Sequence, residues 1–454
     1  MVRRYAVAVF LAALVIRVVW ALVAKVTPIS DFATYDGMAM RWLETGQFGD
    51  SAYRTPGYPA FLAAIYAVFG HSVTAAKLAQ AVLGAISAGL LVVLASHMVS
   101  PRTSLIAGLL YALSPTAIIY VAVLASENPA VLLVIASLLC AAHAGTRVGR
   151  RRYVAMAGSG ACFGGLLLVR PAGLYLLPGW LAVVAYSFAR REWRLGPALV
   201  AIGLAGVVLA PWLVRNHRLG YGAFRLSTTG GFNAWKGNRE ETTTEGGFPG
   251  SRPPMAASPL EAAERDSAEL GLAVQWAREH PGQYLARSAM RLRRLLWTGA
   301  DTWAAKYLVP TRENDVAAIE GYYGPSAGES SEDRPTEEGR RPQQRNEVVL
   351  TAIRAVAAPL MLFGLALAVV RRHSYALVVA PALAYIAGLS LTYGKERFRE
   401  LSDPLLIIPL AALLSDLAWG TTELGGRPSR RAKMICASVL VGATVGWHLY
   451  LYLT

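Results

Sequence analysis

Ser126-Glu127-Asn128-Pro129-Ala130-Val131-Leu132-Leu133-Val134-Ile135-Ala136-Ser137-Leu138-Leu139-Cys140-Ala141-Ala142-His143-Ala144 runs into Gly145-Thr146-Arg147-Val148-Gly149-Arg150-Arg151-Arg152. One carboxylate opens this stretch and four arginines close it, with no Asp, Glu, Lys or Arg between. A bilayer core of about 30 Å is crossed by about 20 apolar residues in a helix. Residues 128–144 therefore predict a membrane span. The arginines predict its cytoplasmic end, because cytoplasmic loops are enriched in Lys and Arg.

The same pattern recurs on both sides. Apolar runs near 5–24, 75–98, 103–122, 153–169, 172–189, 196–214, 349–370, 374–392, 402–419 and 433–453 join 128–144, giving about eleven spans. The chain has 454 residues, 54% of them hydrophobic and only 16% charged. Soluble domains carry about 25% charged residues, so the expected class is an all-α polytopic integral membrane protein. A formal charge of +15 would point to nucleic acid in a soluble protein. Here the arginines fall in short loops, so the charge reads as orientation and no nucleic-acid partner is expected. Cys140, Cys162 and Cys436 lie in apolar runs and predict buried thiols without a disulfide. The run after Arg3-Arg4 is too long, and lacks the cleavage site, for a removable signal.

With the N-terminus inside, every cytoplasmic turn is basic: Arg102, Arg147 to Arg152, Arg190 to Arg194, Arg371-Arg372 and Arg427 to Lys433. Three regions then lie outside: 25–74, 123–128 and 215–348. The expected organisation is a catalytic membrane module over 1–214 with outer loop 25–74, a lid over 215–348, and C-terminal membrane helices over 349–454.

The first outer loop has structure of its own. Ser30 can cap a helix beginning at Asp31, and Gly46 can end it. Phe32, Tyr35, Met38 and Trp42 recur at helical spacing, as in a helix lying in the headgroup layer. Arg54-Thr55-Pro56-Gly57-Tyr58-Pro59 follows. Pro56-Gly57 marks a turn, and Pro59 suits the first turn of a helix over 59–69, too short to span. In the long segment, Arg215-Asn216 precede a Gly- and Asn-rich loop ending Phe232-Asn233-Ala234-Trp235-Lys236-Gly237-Asn238. Residues 259–298 predict helix interrupted at Pro281, and 240–257 and 321–345 predict flexible chain.

Several ionisable residues sit where a bilayer protein needs a reason for them. Asp31 and Tyr35 share a helix face, whereas Asp36 points elsewhere. Glu127 opens the fourth span in an otherwise apolar turn. Both acids also fit plain capping of a helix N-terminus. Arg54 stands before the Pro-Gly turn, and Tyr393-Gly394-Lys395-Glu396-Arg397-Phe398-Arg399 places basic groups on the outer side, against the general trend. Headgroup snorkelling is the ordinary reading; a lipid phosphate held by guanidinium groups is the sharper one. Arg170-Pro171 reads the same way, more weakly. Arg17, inside the first span, reads as structural. The seven histidines show no ligand spacing, and there is no phosphate-binding glycine loop or nucleophile elbow. No cofactor and no metal are expected.

Taken together, these residues resemble the GT-C glycosyltransferases that use polyprenyl-phosphate sugars, in particular the group of protein O-mannosyltransferases and the lipid A aminoarabinose transferase. The resemblance rests on the early acid Asp31, the Arg54–Pro59 element, Glu127, Arg215-Asn216, the Asn233–Asn238 loop and the basic turn before Pro404. The mannosyltransferases carry paired acids in the first loop; here Asp31 is followed by Phe32. The resemblance implies a GT-C fold and a site on the extracytoplasmic face of the inner (plasma) membrane. The implied partners are a polyprenyl-phosphate sugar donor and an acceptor hydroxyl on an envelope glycan, lipid or protein. Asp31 and Glu127 are then the catalytic candidates. Arg54, Lys395 and Arg397 would bind the donor phosphate. Tyr35, Asp36, Tyr58, Arg170, Asn233 and Asn238 would shape the site or meet sugar and acceptor.

Elementary chemistry agrees with that reading. Cleaving an anomeric C–O bond builds oxocarbenium-like charge. The leaving phosphate gains negative charge that guanidinium groups stabilise, and a carboxylate must take the acceptor's proton. In-line attack predicts inversion. Two rivals remain. A transporter or flippase of polyprenyl-linked glycan predicts broken spans and repeats. A non-catalytic envelope scaffold leaves the acids and arginines free to vary.

Overall fold

The computed structural model describes residues 1–26, 31–189, 195–240, 242, 258–297, 360–361, 364–366, 368, 375–393, 396–419 and 421. Among these, all regular structure is helical. Five helices are long and apolar enough to cross a membrane: α1 (Val2–Val23), α4 (Val73–Ala95), α7 (Glu127–Thr146), α8 (Gly149–Val169) and α10 (Gly196–Arg218). The chain is a multi-pass membrane protein. Between the long helices come α2 (Asp31–Thr45), α3 (Gly57–Phe69), α5 (Pro101–Ala112), α6 (Pro115–Ile119) and α9 (Leu177–Ala189). Further on lie α11 (Gly230–Gly237), α12 (Pro259–Glu279), α13 (Pro281–Trp297), α14 (Ala376–Leu391) and α15 (Asp403–Trp419). The expected spans 349–370 (but for a few residues) and 433–453, Cys436, and the stretches 243–257 and 321–345 lie outside the described residues.

Packing follows the sequence pattern. Val9, Ala13, Arg17 and Ala21 recur every fourth residue and form the buried edge of α1, which packs on α4 and α5. Val7, Leu11, Val15 and Val19 face outward, as a lipid-facing side requires. α8 crosses α10 at close range. A Cβ on Gly160 would run into the Ala201 carbonyl oxygen, and one on Gly164 would lie 2.8 Å from that of Ala205. This is the small-residue contact through which membrane helices gain packing.

Two of the expected spans take a different form. The run 103–122 is a broken helix: α5 stops at Ala112, and Pro115 starts α6 afresh. The run 172–189 begins as a 3-10 turn, Pro171–Leu176, before α9. The break in α5 is closed by Arg17, which is fully buried. Its Nη1 donates to the Ala112 carbonyl at 2.9 Å and its Nη2 to that of Tyr111 at 3.3 Å. The Ala112 carbonyl is one that a helix end leaves unpaired; that of Tyr111 also accepts from the Ser114 amide at 3.2 Å. Room for the guanidinium comes from Gly84, where a Cβ would lie 2.8 Å from Arg17 Nε. Cys140 and Cys162 are free thiols that are half-buried; the expected full burial is not reached, because each lies on a helix side only partly covered.

The short helices have nearly the expected extents, α3 beginning two residues early at Gly57. α2 ends as Gly46 adopts φ +70°, the left-handed conformation that favours glycine at this position. α3, with 13 residues, packs on α2, α4 and α8 through Tyr58, Leu62, Ala63 and Tyr66. α12 and α13 meet at Pro281; α12 packs on α11, and α13 on α14.

Candidate active site

The first half of the site is built by α2 and the Arg54–Pro59 element. The first turn of α2 buries Asp31, Phe32 and Tyr35 on one face. Asp31 forms an ion pair with Arg54 Nη2. The Arg54 guanidinium also lies over the rings of Tyr35 and Tyr53, at 5.5 and 5.0 Å. Cation–π contacts of this kind hold a guanidinium in place without neutralising it. Asp36 points away, as helical geometry requires. It accepts from Tyr66 Oη at 2.6 Å, and His71 Nε2 lies 3.0 Å from its carboxylate. Burial, then that hydrogen bond, raises the Tyr66 phenol above its ordinary value.

The second half is built by the turn before α7 and the end of α8. Glu127, in the first turn of α7, accepts from Arg170 Nη1 at 2.8 Å. The same nitrogen donates to Ser126 Oγ at 2.9 Å. Phe398 covers this guanidinium, with its ring centre 5.2 Å away. Asn128 fixes the turn by donating to the Tyr120 carbonyl at 2.9 Å.

Two contacts join the halves. Gly57 sits against the backbone of Leu168 and Val169, where a Cβ would be 2.7 Å from the Leu168 carbonyl. The Pro-Gly turn thus docks on the residues leading into Arg170. Tyr58, fully buried, lies edge-on to Tyr35 at 4.9 Å and donates to Gln80 Oε1 at 3.1 Å. Desolvation, followed by nearby acidic groups, raises the Tyr58 phenol well above its ordinary value, so it remains a donor. The Gln80 amide then donates to the Val121 and Val123 carbonyls at 3.1 and 2.9 Å. One glutamine therefore ties α3, α4 and the turn before Glu127. The sequence reading passed over it, since a lone Gln in an apolar run has no motif.

The remaining candidates are placed less uniformly. Lys395 and the side chain of Arg397 lie outside the described residues. In the same turn, Arg399 is buried with its Nε 3.4 Å from Asp403 Oδ2. The i,i+4 spacing of Arg399 and Asp403 was the available signal. Asn233 lines an open cleft of about 520 Å³ between the 3-10 turn after Arg170 and the loop leading into α11. Asn238 is not in that cleft. It donates to the Ala234 carbonyl at 2.9 Å and to the Thr392 carbonyl at 3.3 Å, and accepts from Arg291 Nη2 at 3.0 Å. Arg291 also donates to Ser390 and Gly237 carbonyls at 2.6 and 2.8 Å, and burial lowers its pKa to about 10. Among the described residues, no three His, Cys, Asp or Glu side chains gather in a way that would hold a metal ion.

An all-helical membrane fold with short helices between the long ones and two acid–arginine pairs defines a class, and comparison of the structure identifies it as the GT-C fold. The oligosaccharyltransferase of Archaeoglobus fulgidus, in a crystal structure with zinc and sulfate, aligns with a TM-score of 0.53 and 14% identity, over 96% of this chain and 52% of that one. The same organism's oligosaccharyltransferase AglB, in complex with an inhibitory peptide and a dolichol-phosphate, aligns with a TM-score of 0.50 and 12% identity, over 98% and 55%. ArnT from Cupriavidus metallidurans, bound to undecaprenyl phosphate, aligns with a TM-score of 0.42 and 17% identity, over 93% and 78%. The chain spans about half the length of the Archaeoglobus proteins. In sequence, residues 53–214 match the family described as dolichyl-phosphate-mannose-protein mannosyltransferase. That segment includes Arg54, Tyr58, Gln80, Glu127 and Arg170. No curated protein matches the sequence.

Proposed function

We propose that the chain is a membrane glycosyltransferase that moves a sugar from a polyprenyl-phosphate donor to an acceptor hydroxyl on the extracytoplasmic face, with inversion. The observation that supports this most directly is the pairing of Asp31 with Arg54 beside the Glu127–Arg170 pair, with Tyr58 and Gln80 between them. The dolichol-phosphate held by the Archaeoglobus relative supports a lipid-phosphate donor.

In this reading the donor phosphate takes Arg54 as a ligand, with Lys395 and Arg397. Arg54 is thereby drawn off Asp31. Asp31 accepts the proton of the acceptor hydroxyl as its oxygen attacks the anomeric carbon. The bond from that carbon to the phosphate oxygen breaks, and its electron pair leaves with the polyprenyl phosphate, which the guanidinium groups stabilise. Glu127 and Arg170 hold the wall of the site and orient the acceptor. The segment 215–348 acts as its lid. The basic turns set the N-terminus in the cytoplasm of a cell with this protein in its inner membrane.

One observation favours a flippase instead, namely the break between α5 and α6 beside a buried Arg17. Incubating purified protein in lipid with radiolabelled polyprenyl-phosphate sugars separates the readings. Release of polyprenyl phosphate by wild type, and its loss in Asp31→Asn, is the expected outcome. Intact donor moved between leaflets, with no release, overturns the transferase.

A further inference from the structure

The cleft beside the site has a built shape and no charge left over. Its loop, Tyr221–Asn233, is held from several sides. Tyr221 Oη donates to the Asp50 carbonyl at 2.9 Å, Asn216 Nδ2 donates to the Arg225 carbonyl at 2.8 Å, and Trp212 Nε1 donates to that of Leu226 at 2.8 Å. Arg225 is consumed within the loop: it pairs with Asp266, and its other nitrogens donate to Ser267 Oγ and the Tyr221 carbonyl. Asp266 in turn accepts from the Gly231 amide at 2.6 Å. On this fixed loop Phe224 stands 89% exposed. The Ser227 and Thr229 hydroxyls face each other at 3.1 Å, and the Asn233 amide has no side-chain hydrogen bond among the described residues.

A rigid loop that keeps a large aromatic ring in the open forgoes the burial such a side chain favours. A ligand with an apolar face recovers it. The neutral lining disfavours a phosphate or an acidic peptide. A hydrocarbon tail would cover the Asn233 amide without pairing it, and an unpaired buried polar group is costly. A pyranose or furanose ring meets both demands, with C–H groups for Phe224 and hydroxyls for Asn233, Thr229 and Ser227. The opposite wall begins at Pro171, the residue after Arg170.

We propose that this cleft is the acceptor subsite and that it takes a neutral carbohydrate. The acceptor role rests on the transferase reading above; the carbohydrate chemistry rests on the cleft itself. The test uses the full chain in lipid nanodiscs and methyl glycosides of mannose, galactose, glucose and arabinose, with their disaccharides, followed by saturation-transfer NMR. Farnesyl phosphate serves as the donor-side probe. Saturable binding of at least one glycoside is expected, weakened about tenfold in Phe224→Ala and in Asn233→Ala and retained in Phe224→Trp, with farnesyl phosphate binding unchanged. Binding of no glycoside, or binding indifferent to both alanine variants, overturns the proposal. So does a loss of farnesyl phosphate affinity in Phe224→Ala, which would make the cleft a lipid site. Donor cleavage without glycoside binding sinks the subsite alone. Glycoside binding without donor cleavage sinks the transferase, and with it the acceptor role.

Discussion

The site contains two acid–arginine pairs that look alike in sequence and differ in setting. Glu127 and Arg170 have side chains 2% and 5% exposed, whereas Asp31 and Arg54 are at 10% and 25%. The first pair joins two helix ends inside the bundle and is flanked by Ser126 and Phe398. The second joins the start of the short helix α2 to a turn, with its guanidinium resting on two tyrosine rings. Ions sealed from water are costly to separate, while a pair at the edge of water can exchange partners. The difference predicts that the more buried pair bears more on stability and that the more exposed pair exchanges partners more readily.

Breaking the inner pair should have the largest effect on stability. Arg170→Ala strands the Glu127 carboxylate, and a loss of about 3–5 kcal/mol is expected, read as a fall in thermal midpoint in lipid or detergent. Glu127→Gln with Arg170→Met should regain much of it. An Arg170→Ala variant as stable as wild type would erase the distinction between the pairs. Asp31→Asn should do the reverse, leaving the midpoint nearly unchanged while slowing polyprenyl phosphate release about 10²–10⁴-fold.

Gln80→Leu tests the link between the halves. It removes hydrogen bonds to Tyr58 and to the carbonyls of Val121 and Val123, each with a net contribution of about 0.5–1.5 kcal/mol. Its midpoint should fall between those of the two pair variants. Gly57→Ala should cost about 1–3 kcal/mol, because its methyl group meets the Leu168 backbone. The smallest effect belongs to the exposed Arg265–Glu261 pair on α12, where Arg265→Ala should shift stability by under about 1 kcal/mol. A larger shift there would mean that surface pairs matter more in this protein than its buried geometry implies.

Much of the fold was legible because the bilayer imposes a one-dimensional rule: length, hydropathy and loop charge locate helices without knowledge of what they touch. The helix from Asp31, its end at Gly46 and the break at Pro281 were legible through turn and capping chemistry. The break in the run 103–122 was harder, since its residues are apolar throughout and only Ser114-Pro115 hints at it. Arg17 was recognisable as a charge needing a partner. That its partner is the open end of α5 follows from the packing of α1 against α5.

The sequence by itself determined the class of protein, most of its described helices and the acids and arginines that form its ion pairs. These depend on local composition and on the cost of burying charge. Which arginine meets which acid, the bridging place of Gln80, the separation of Asn233 from Asn238, and the cleft beyond Arg170 were decided by tertiary structure alone. Each joins residues tens to hundreds of positions apart, and only the approach of helix backbones at small residues such as Gly57 and Gly160 brings them together.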